Sequence, residues 1–461
     1  MGLLQKKEVD LTEGSVFRKI LAFALPLVLS NILQALYNAA DMVVVGLFAG
    51  DLPLGAVGAT SALTNLMLNL FIALSVGTSV TVATAIGAQS RERAQKLVHT
   101  SMALALVCGV FVTVLGLTCS RQFLILMDTN PVLLDLSSTY MRIFFSGSIF
   151  SLVYNFGAAI LRAAGDSRRP LYYLMISGLV NVVLNVFFVI VCGMTADGVA
   201  LATVISQVLS AVLVVRALLR HTGDIRLFPR KIRFYGRETW DILRTGLPAG
   251  VQSTMFSISN TMIQTAVNSF DNPLLVSGNT AAMNIEGFVF TAMYAMHVTA
   301  VTAMGQNIGA GKYRRMNAVM GYCLLVVAVI GIVMGGASAL LAEPLLDIYL
   351  TEREAMDFGI SRLTLIGTTY FLCGLMDTLV GCQRGMGNTL VPMIVSVFGV
   401  CGIRIVWIYT VFAAHHTLPV LYLSYPVTWI ITGVMQLVLC LVLKHRIQRR
   451  AIQKAEERIP V

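Results

Sequence analysis

Residues 161–170 read LRAAGDSRRP, and residues 383–392, which lie 222 positions later, read QRGMGNTLVP. The two segments share an Arg, a Gly and a Pro in the same places. Further matches occur at the same shift, namely Leu25-Pro26 with Leu247-Pro248 and Ile86-Gly87-Ala88 with Ile308-Gly309-Ala310. Biased composition could produce one such match but hardly a series at one offset. The sequence therefore predicts one structural unit present twice.

The composition assigns this repeated unit to a membrane. The chain has 461 residues, of which 57% are hydrophobic and 12% charged, and its mean hydropathy is +0.79. Soluble chains carry about 25% charged residues. A bilayer-spanning helix needs about 20 mostly apolar residues, and twelve segments meet that need, roughly at 16–47, 54–86, 94–119, 132–161, 170–193, 197–220, 238–270, 276–308, 315–341, 356–383, 390–413 and 418–443. The prediction is an all-α integral membrane protein with twelve transmembrane helices.

The net charge of +10 is explained by orientation rather than by nucleic acid. Lys and Arg fall mainly on one set of connections, an asymmetry that predicts cytoplasmic N- and C-termini. The same basic residues suit anionic lipid head groups. The first fourteen residues mix acids with bases and do not resemble a cleavable signal. The eight Cys form no CxxC pair and are interpreted as small buried apolar residues.

Six spans per half is an even number, so both halves enter the membrane in the same direction. Parallel halves of this kind are a secondary-transporter architecture, in which two lobes rock about a central cleft. The predicted organisation is an N-lobe at 1–220, a basic cytoplasmic inter-lobe loop at 221–237, a C-lobe at 238–446 and a cytoplasmic tail at 447–461. No GxxxxGK[ST] segment indicates ATP as the energy source.

The first span carries a polar stripe of Asn31, Gln34, Asn38 and Asp41. Their helical spacing confines them to an arc of roughly 80°. A charge at the middle of a bilayer costs about 2.5–3.5 kcal/mol on insertion scales, so the stripe is expected to line a bundle interior or a wet cavity. Candidate partners in the same lobe are Tyr37, Asn65, Asn69, Asn155, Asn181, Asn185, Thr203 and Gln207.

We hypothesise that this polar cavity converges on Asp41. Removal from water favours the protonated form of a carboxyl group, so Asp41 is a candidate to hold a proton, or to hold Na⁺ with amide oxygens. The alternative is that Asp41 is permanently hydrogen-bonded between helices. The repeat keeps Asn38 as Asn260 but has Ile263 at the position of Asp41, so the acid is confined to one half. Pro26 is interpreted as a hinge or a static kink in the first span.

The second half has its own candidates, which are Glu286, His297, Asp377, Arg404, Asn260 and Gln264. Asp377 and Arg404 are expected to form a buried ion pair that fixes the lobe, or else Asp377 is a second coupling site. Glu286 is the better candidate for a second acidic site facing the cleft. His297 is interpreted as a satisfied polar residue rather than a proton carrier. No structural metal site is predicted.

The sequence resembles the MATE (multidrug and toxic compound extrusion) family, its DinF-like bacterial and archaeal branch in particular. The carrying segments are FALPLVLSNILQALYNAADMVVVG at 23–46, GAVGA at 55–59, SVGTSVTVATAIGAQ at 75–89 and the two Arg/Gly/Pro loops. The resemblance implies a proton- or sodium-coupled antiporter for organic, often cationic, compounds, with Asp41 as the coupling acid. It also implies partners for Asp41 at Asn181, Asn185 and Thr203. The DinF-like pattern has Asp where this chain has Asn185, which favours proton coupling.

The expected setting is a bacterial cytoplasmic membrane, where the chain works as a monomer among lipids without a cofactor other than H⁺ or Na⁺. The nearest alternative is a lipid-linked saccharide flippase of the same superfamily, which needs more cations along its cleft. A membrane-embedded enzyme would need a nucleophile with a base, or a metal motif such as HExxH, and the sequence has neither. A channel would not need a duplicated rocking architecture.

Overall fold

The computed structural model describes residues 8–456 except 46, 47, 49, 50, 128 and 130, and within these residues every regular element is helical. The first half contains seven α-helices, which are α1 (Val16–Val44), α2 (Asp51–Gly87), α3 (Arg91–Leu126), α4 (Pro131–Ser146), α5 (Ser148–Ala163), α6 (Arg168–Val186) and α7 (Ala196–Leu219). A π-helical turn, Phe187–Val191, continues α6.

The second half contains the remaining α-helices, which are α8 (Gly236–Asn268), α9 (Pro273–Gly309), α10 (Arg315–Leu340), α11 (Ala342–Leu346), α12 (Arg353–Gly385), α13 (Leu390–Ser396), α14 (Ile403–Trp407) and α15 (Leu418–Glu456). Two π-helical segments, Val397–Gly402 and Ile408–Phe412, flank α14 and join it to α13 in one span. Such π-bulges are rare and occur frequently at functional sites.

Each of the twelve predicted segments corresponds to one helix or to one broken helix, which confirms the predicted fold class. Ten helices in the described part of the chain are long and apolar enough to cross a membrane, and α4 with α5 forms an eleventh span that bends by 44°. The seventh segment, α8, is 33 residues long but does not reach the same apolarity. Its sequence from 252 to 265 is rich in hydroxyl and amide side chains, which lower its hydropathy.

Contacts divide the molecule into two units that do not follow the predicted boundary at 221–237. Among the described residues, unit 1 comprises residues 8–9 and Leu29–Gly250. Unit 2 comprises Asp10–Val28 and residues 251–456. The division therefore passes through α1 and through α8. Both crossing points lie at equivalent places in the repeat, since a shift of 222 residues relates position 28 to position 250.

The segment 221–237 is anchored within unit 1 rather than free. The side chains of Ile225 and Leu227 are buried in the unit's core. The backbone N–H of Phe228 donates to His99 Nε2 at 3.1 Å, which ties the segment to α3. Packing of this kind explains why the division between units does not fall at the longest basic connection.

Small residues allow close helix crossings inside each unit, as is common in membrane bundles. In unit 1, a Cβ atom at Gly77 would lie 2.2 Å from the carbonyl oxygen of Ile242 in α8. In unit 2, a Cβ atom at Gly278 would lie 2.1 Å from the carbonyl oxygen of Ala355 in α12. Both glycines thus let a neighbouring backbone approach a position that any larger residue would block.

Candidate ion-coupling site

Asp41 lies near the end of α1 and is held by an amide of α6. Asn185 Nδ2 donates a short hydrogen bond to Asp41 Oδ1. Asn185 is fully buried, and Asp41 is partly buried. An acid placed inside the bundle and held by a neutral donor fits the expectation for an ionisable group within a membrane span.

The contact continues into a chain of side chains on α6 and α7. Asn185 Nδ2 also lies 3.4 Å from Asn181 Oδ1, one helical turn away. Asn181 Nδ2 lies 3.5 Å from Thr203 Oγ1, a long contact at the outer limit of a hydrogen bond. Thr203 Oγ1 donates in turn to the backbone oxygen of Val199 at 2.9 Å. The structure thus brings together all four residues that the sequence grouped as the coupling site.

Within the described part of the chain, the site contains one acid and no fixed counter-charge. Among the described residues, no Lys, Arg or His nitrogen lies within 4.0 Å of the Asp41 carboxylate. Asn185 Oδ1 is buried and accepts no hydrogen bond from the described part of the chain. The residues described here also form no group of three or more His, Cys, Asp or Glu side chains. The oxygen atoms of one carboxylate, two amides and one hydroxyl are ligands that suit a proton or a hard monovalent cation.

Two other polar residues predicted for the N-lobe, Tyr37 and Asn155, form hydrogen bonds elsewhere. Tyr37 donates from its hydroxyl to the backbone oxygen of Met175 at 3.4 Å, and Asn155 Nδ2 donates to the backbone oxygen of Ser151 in its own helix at 2.9 Å. Asn31 and Gln207 are partly buried, whereas Gln34, Asn38 and Asn69 are exposed. The side chain of Asn65 lies outside the described residues. Pro26 lies inside α1.

In unit 2, Glu286 is locked in an ion pair and is not an open acidic site. Arg362 Nε and Nη2 donate to the two carboxylate oxygens of Glu286 at 2.9 and 2.8 Å, and both side chains are buried. Arg362 Nη1 donates to Asn279 Oδ1 at 2.8 Å. The expectation that Glu286 faces a cleft as a second acidic site is therefore wrong, because a bidentate Arg occupies both of its oxygens.

Asp377 pairs with His297, so the predicted ion pair between Asp377 and Arg404 is also wrong. His297 Nδ1 lies 3.2 Å from Asp377 Oδ2 and 2.9 Å from the Asp377 backbone oxygen. Arg384 Nη1 donates to His297 Nε2 at 3.3 Å, and Arg384 Nη2 donates to Gln252 Oε1 at 2.8 Å. His297 has partners on both ring nitrogens, as the interpretation of a satisfied polar residue requires.

Arg404 instead contacts Asn260 and Tyr425. Its Nη1 donates to Asn260 Oδ1 at 3.3 Å, and its guanidinium carbon lies 4.2 Å from the centre of the Tyr425 ring. Gln264 accepts a hydrogen bond from Asn279 Nδ2 at 3.0 Å through its Oε1. Gln264 therefore belongs to the surroundings of the Glu286 ion pair, whereas Asn260 belongs to those of Arg404.

Sequence reasoning missed two partners in unit 2. Arg362 stands alone as a cation inside an apolar segment, a signal that could have marked it as the partner of an intramembrane acid. Arg384 belongs to one of the two Arg/Gly/Pro segments interpreted from the sequence as loops, but it lies in the last turn of α12 and is 5% exposed. The match between Arg162 and Arg384 in the repeat showed that this position is special without showing that its side chain points inward.

These features define a class of protein, a multi-pass helical membrane protein built from a duplicated unit of transporter type. The chain belongs to the MatE family of multidrug efflux transporters. The MatE family model matches residues 26–187 and again residues 248–410, so the family unit occurs twice, starting at the equivalent residues Pro26 and Pro248. This confirms the resemblance stated from the sequence.

Relatives and solved structures agree with this assignment. The chain is 27% identical over 408 residues to the probable multidrug resistance protein YoeA of Bacillus subtilis, covering 86% of each chain. It is 27% identical over 417 residues to the probable multidrug resistance protein NorM of Thermotoga maritima, covering 87% of this chain and 86% of that protein. An FAD transporter of Shewanella oneidensis is 21% identical over 365 residues, covering 77% of this chain and 78% of the relative.

The fold matches that of a solved MATE family transporter of the MOP superfamily in an outward-facing conformation. The TM-score is 0.90 at 21% identity, and the match covers 96% of this chain and 99% of the other. At this identity the likeness concerns the fold, so the role of each residue in this chain rests on its own geometry.

Proposed function

We propose that this chain is a secondary active antiporter that exports organic, often cationic, compounds in exchange for H⁺ by alternating access. The observation that carries the proposal is the carboxylate of Asp41, held inside unit 1 by Asn185 with no cation of the described residues beside it. An acid without a fixed counter-charge can be neutral or charged as conditions change. An acid paired with Arg would keep one charge state throughout a cycle.

The choice of H⁺ over Na⁺ is supported by the ligand set. Na⁺ needs several oxygen ligands, and a second carboxylate would strengthen its binding. In this chain Asn185 turns its amide nitrogen toward Asp41, and the adjoining groups are neutral. Na⁺ binding would require the Asn185 amide to turn its oxygen toward the ion. A proton requires no such rearrangement, since the carbonyl oxygen of protonated Asp41 can still accept the hydrogen bond from the Asn185 amide nitrogen.

The proposed cycle assigns a separate task to each residue. Asp41 takes up a proton from the outside and releases it to the cytoplasm. Asn185 orients the carboxylate through its amide, and Asn181 and Thr203 keep Asn185 in place from the adjoining turn and helix. A proton that crosses a potential of 100 mV supplies about 2.3 kcal/mol. This energy sustains a concentration gradient of about 50-fold for a neutral substrate.

The wider assignment follows from this role. The printed names of several relatives describe multidrug resistance or multidrug export proteins, which supports organic drugs as substrates. We propose that the chain is a monomer in a bacterial cytoplasmic membrane with both termini in the cytoplasm. It needs no cofactor beyond the coupling ion and has no enzymatic step. The lobes 1–220 and 238–446 with the connecting loop remain the proposed functional organisation.

Proton flux in proteoliposomes tests the coupling. Purified protein is reconstituted with a pH-sensitive dye inside the vesicles, and ethidium is added on one side with Na⁺ replaced by choline. Native protein is expected to move protons when ethidium is added. The variant Asp41→Asn should lose this flux while it still folds, because Asn keeps the shape of Asp but cannot be charged.

The matched control is Asp135→Asn. Asp135 is an exposed acid that pairs with Arg121 at 3.1 Å on the surface, so its loss should leave the flux unchanged. Full ethidium-driven proton flux in Asp41→Asn would remove Asp41 from the coupling step. If ethidium transport by the native protein requires Na⁺, the coupling ion is Na⁺ rather than H⁺.

A further inference from the structure

Arg404 is a buried cation whose charge the described protein does not neutralise. Its residue is 4% exposed, and no carboxylate of the described residues lies within 4.0 Å of its guanidinium nitrogens. Its Nε is buried and has no hydrogen-bond acceptor among the described residues. Its Nη1 donates to Asn260, whose side chain is exposed. A buried charge without a counter-charge is unfavourable unless something else completes its environment.

Arg362 shows what a completed environment looks like in the same unit. It lies 5.2 Å from the centre of the Tyr425 ring, the ring that Arg404 also faces. Arg362 is satisfied by both oxygens of Glu286, whereas among the described residues Arg404 contacts a neutral amide and an aromatic face. Two guanidinium groups therefore face one ring, and the Glu286 carboxylate pairs with Arg362 and not with Arg404.

Arg404 lies near the part of the second copy that corresponds to the ion-coupling site of the first half. At the repeat shift of 222 residues, Thr203 corresponds to Tyr425 and Asn38 corresponds to Asn260. Asn181 corresponds to Ile403, the residue directly before Arg404. Asp41 itself corresponds to Ile263, so the second copy lacks the acid and has a cation at a neighbouring position. Both copies also have a π-helical turn next to these residues, Phe187–Val191 and Ile408–Phe412.

We propose that Arg404, with Asn260 and Tyr425, forms an anion-binding site in unit 2 that takes the carboxylate of an aromatic organic acid. The carboxylate enters on the side of the exposed Asn260, replaces its amide oxygen at Nη1 and supplies the missing negative charge. Carboxylates match the fork of guanidinium donors better than an amide does.

The neighbouring side chains define the remainder of the ligand. Tyr425 and Trp429 meet edge to face with ring centres 5.6 Å apart, and Tyr370 lies 5.3 Å from Trp429. This aromatic cluster next to the cation favours a flat ring beside the acid group. The substrate range of the proposed exporter then includes acids and zwitterions in addition to cations, an extension that rests on the proposed function.

Direct binding tests the site without any ion gradient, so the result does not depend on the antiport proposal. The probes are 2-naphthoate and its neutral isostere 2-naphthamide, measured by equilibrium dialysis on the full chain in nanodiscs of phosphatidylcholine. Native protein is expected to bind the acid about 10- to 100-fold more tightly than the amide, the range for a hydrogen bond to a charged group in a buried site. Equal affinities for the two probes would overturn the proposal without the need for any variant.

Three variants locate the preference. Arg404→Gln should bind both probes equally, and Arg404→Lys should keep part of the preference because it keeps the charge. Arg121→Gln removes an exposed cation that pairs with Asp135 and should retain the full preference. If Arg404→Gln keeps the preference for the acid, the site lies elsewhere and the proposal is wrong.

Nanodiscs that contain phosphatidylglycerol distinguish a soluble acid from a lipid phosphate as the ligand. Unchanged binding of 2-naphthoate in these discs supports the organic acid. Loss of binding in native protein would show that an anionic head group occupies Arg404, which would overturn the assignment to aromatic acids.

Discussion

Replacing Asn185 with Asp would place two carboxylates in direct contact inside unit 1. In the structure the Asn185 amide donates to Asp41, and the substitution exchanges this donor for a second acid. Two charges about 4 Å apart repel by about 4 kcal/mol at an effective dielectric constant near 20. This energy corresponds to a factor of about a thousand in an equilibrium constant. The pair can therefore persist only with a shared cation, either H⁺ or Na⁺.

The prediction is that Asn185→Asp gains a stabilising effect of Na⁺ that the native chain lacks. A ligand present at a hundred times its dissociation constant stabilises the folded protein by about 2.7 kcal/mol. The assay is unfolding in detergent micelles at pH 8, with NaCl compared with choline chloride at equal ionic strength. The low proton concentration at this pH reduces competition for the pair.

The double variant Asp41→Asn with Asn185→Asp is the matched control. The site of the double variant contains one carboxylate, as the native site does, but this acid lies on α6 instead of α1. Its response to Na⁺ should stay at the native level. The reasoning is refuted if Asn185→Asp shows no Na⁺-specific gain, or if the double variant gains as much as the single one.

Three further predictions concern packing and charge. Glu286→Gln should destabilise unit 2 by about 3–5 kcal/mol in detergent unfolding because it leaves the Arg362 charge buried without a partner. Replacement of both residues by Met should restore most of the lost stability. A double variant as unstable as the sum of the two single variants would contradict this explanation. Gly77→Ala should lower the free energy of unfolding by about 1–3 kcal/mol because its methyl group would collide with the backbone of α8, and a stability equal to native would exclude a close crossing in the protein. Asp241→Asn removes a partly exposed pair with Arg93 and should change stability by less than about 1 kcal/mol in the same assay, so a larger loss would mean that the pair is shielded from water.

The sequence predicted the fold because each step used a strong physical signal. Long apolar segments identify spans, and repeated Arg, Gly and Pro residues identify the duplicated unit. The grouping of Asp41 with Asn181, Asn185 and Thr203 combined polar residues in apolar segments with a family resemblance, and the structure brings these residues together. A polar side chain in a span must find a partner, which limits where it can point.

Pairing in the second half was not predictable in the same way. Helical spacing tells which residues share a face, but the rotation and depth of each helix decide which faces meet. Glu286, His297 and Asp377 were each recognised as candidates, but their partners were not. Glu286 pairs with Arg362, and Asp377 pairs with His297 rather than with Arg404. Arg404 was the expected partner of Asp377, but the structure shows that Asp377 already pairs with His297.

The polar stripe of α1 shows the same limit on a smaller scale. Asn31, Gln34, Asn38 and Asp41 share an arc on one helix, and Asp41 accepts a hydrogen bond from the Asn185 amide of α6. Asn38 and Gln34 are exposed on the same helix. Periodicity therefore identified the stripe, and packing decided that Asp41 contacts the neighbouring helix whereas Gln34 and Asn38 stay exposed.

The division of α1 between the two units has a consequence for how the chain matures on the ribosome. The backbone N–H of Leu11 donates to Gln306 Oε1 at 3.2 Å, and Asn307 Nδ2 donates to the Leu11 backbone oxygen at 3.1 Å. At a synthesis rate of about 5–20 residues per second, Leu11 emerges about 15–60 s before these partners exist. Leu11 must therefore wait until 295 further residues have been made before its contact with Gln306 can form, so this contact is added late in synthesis.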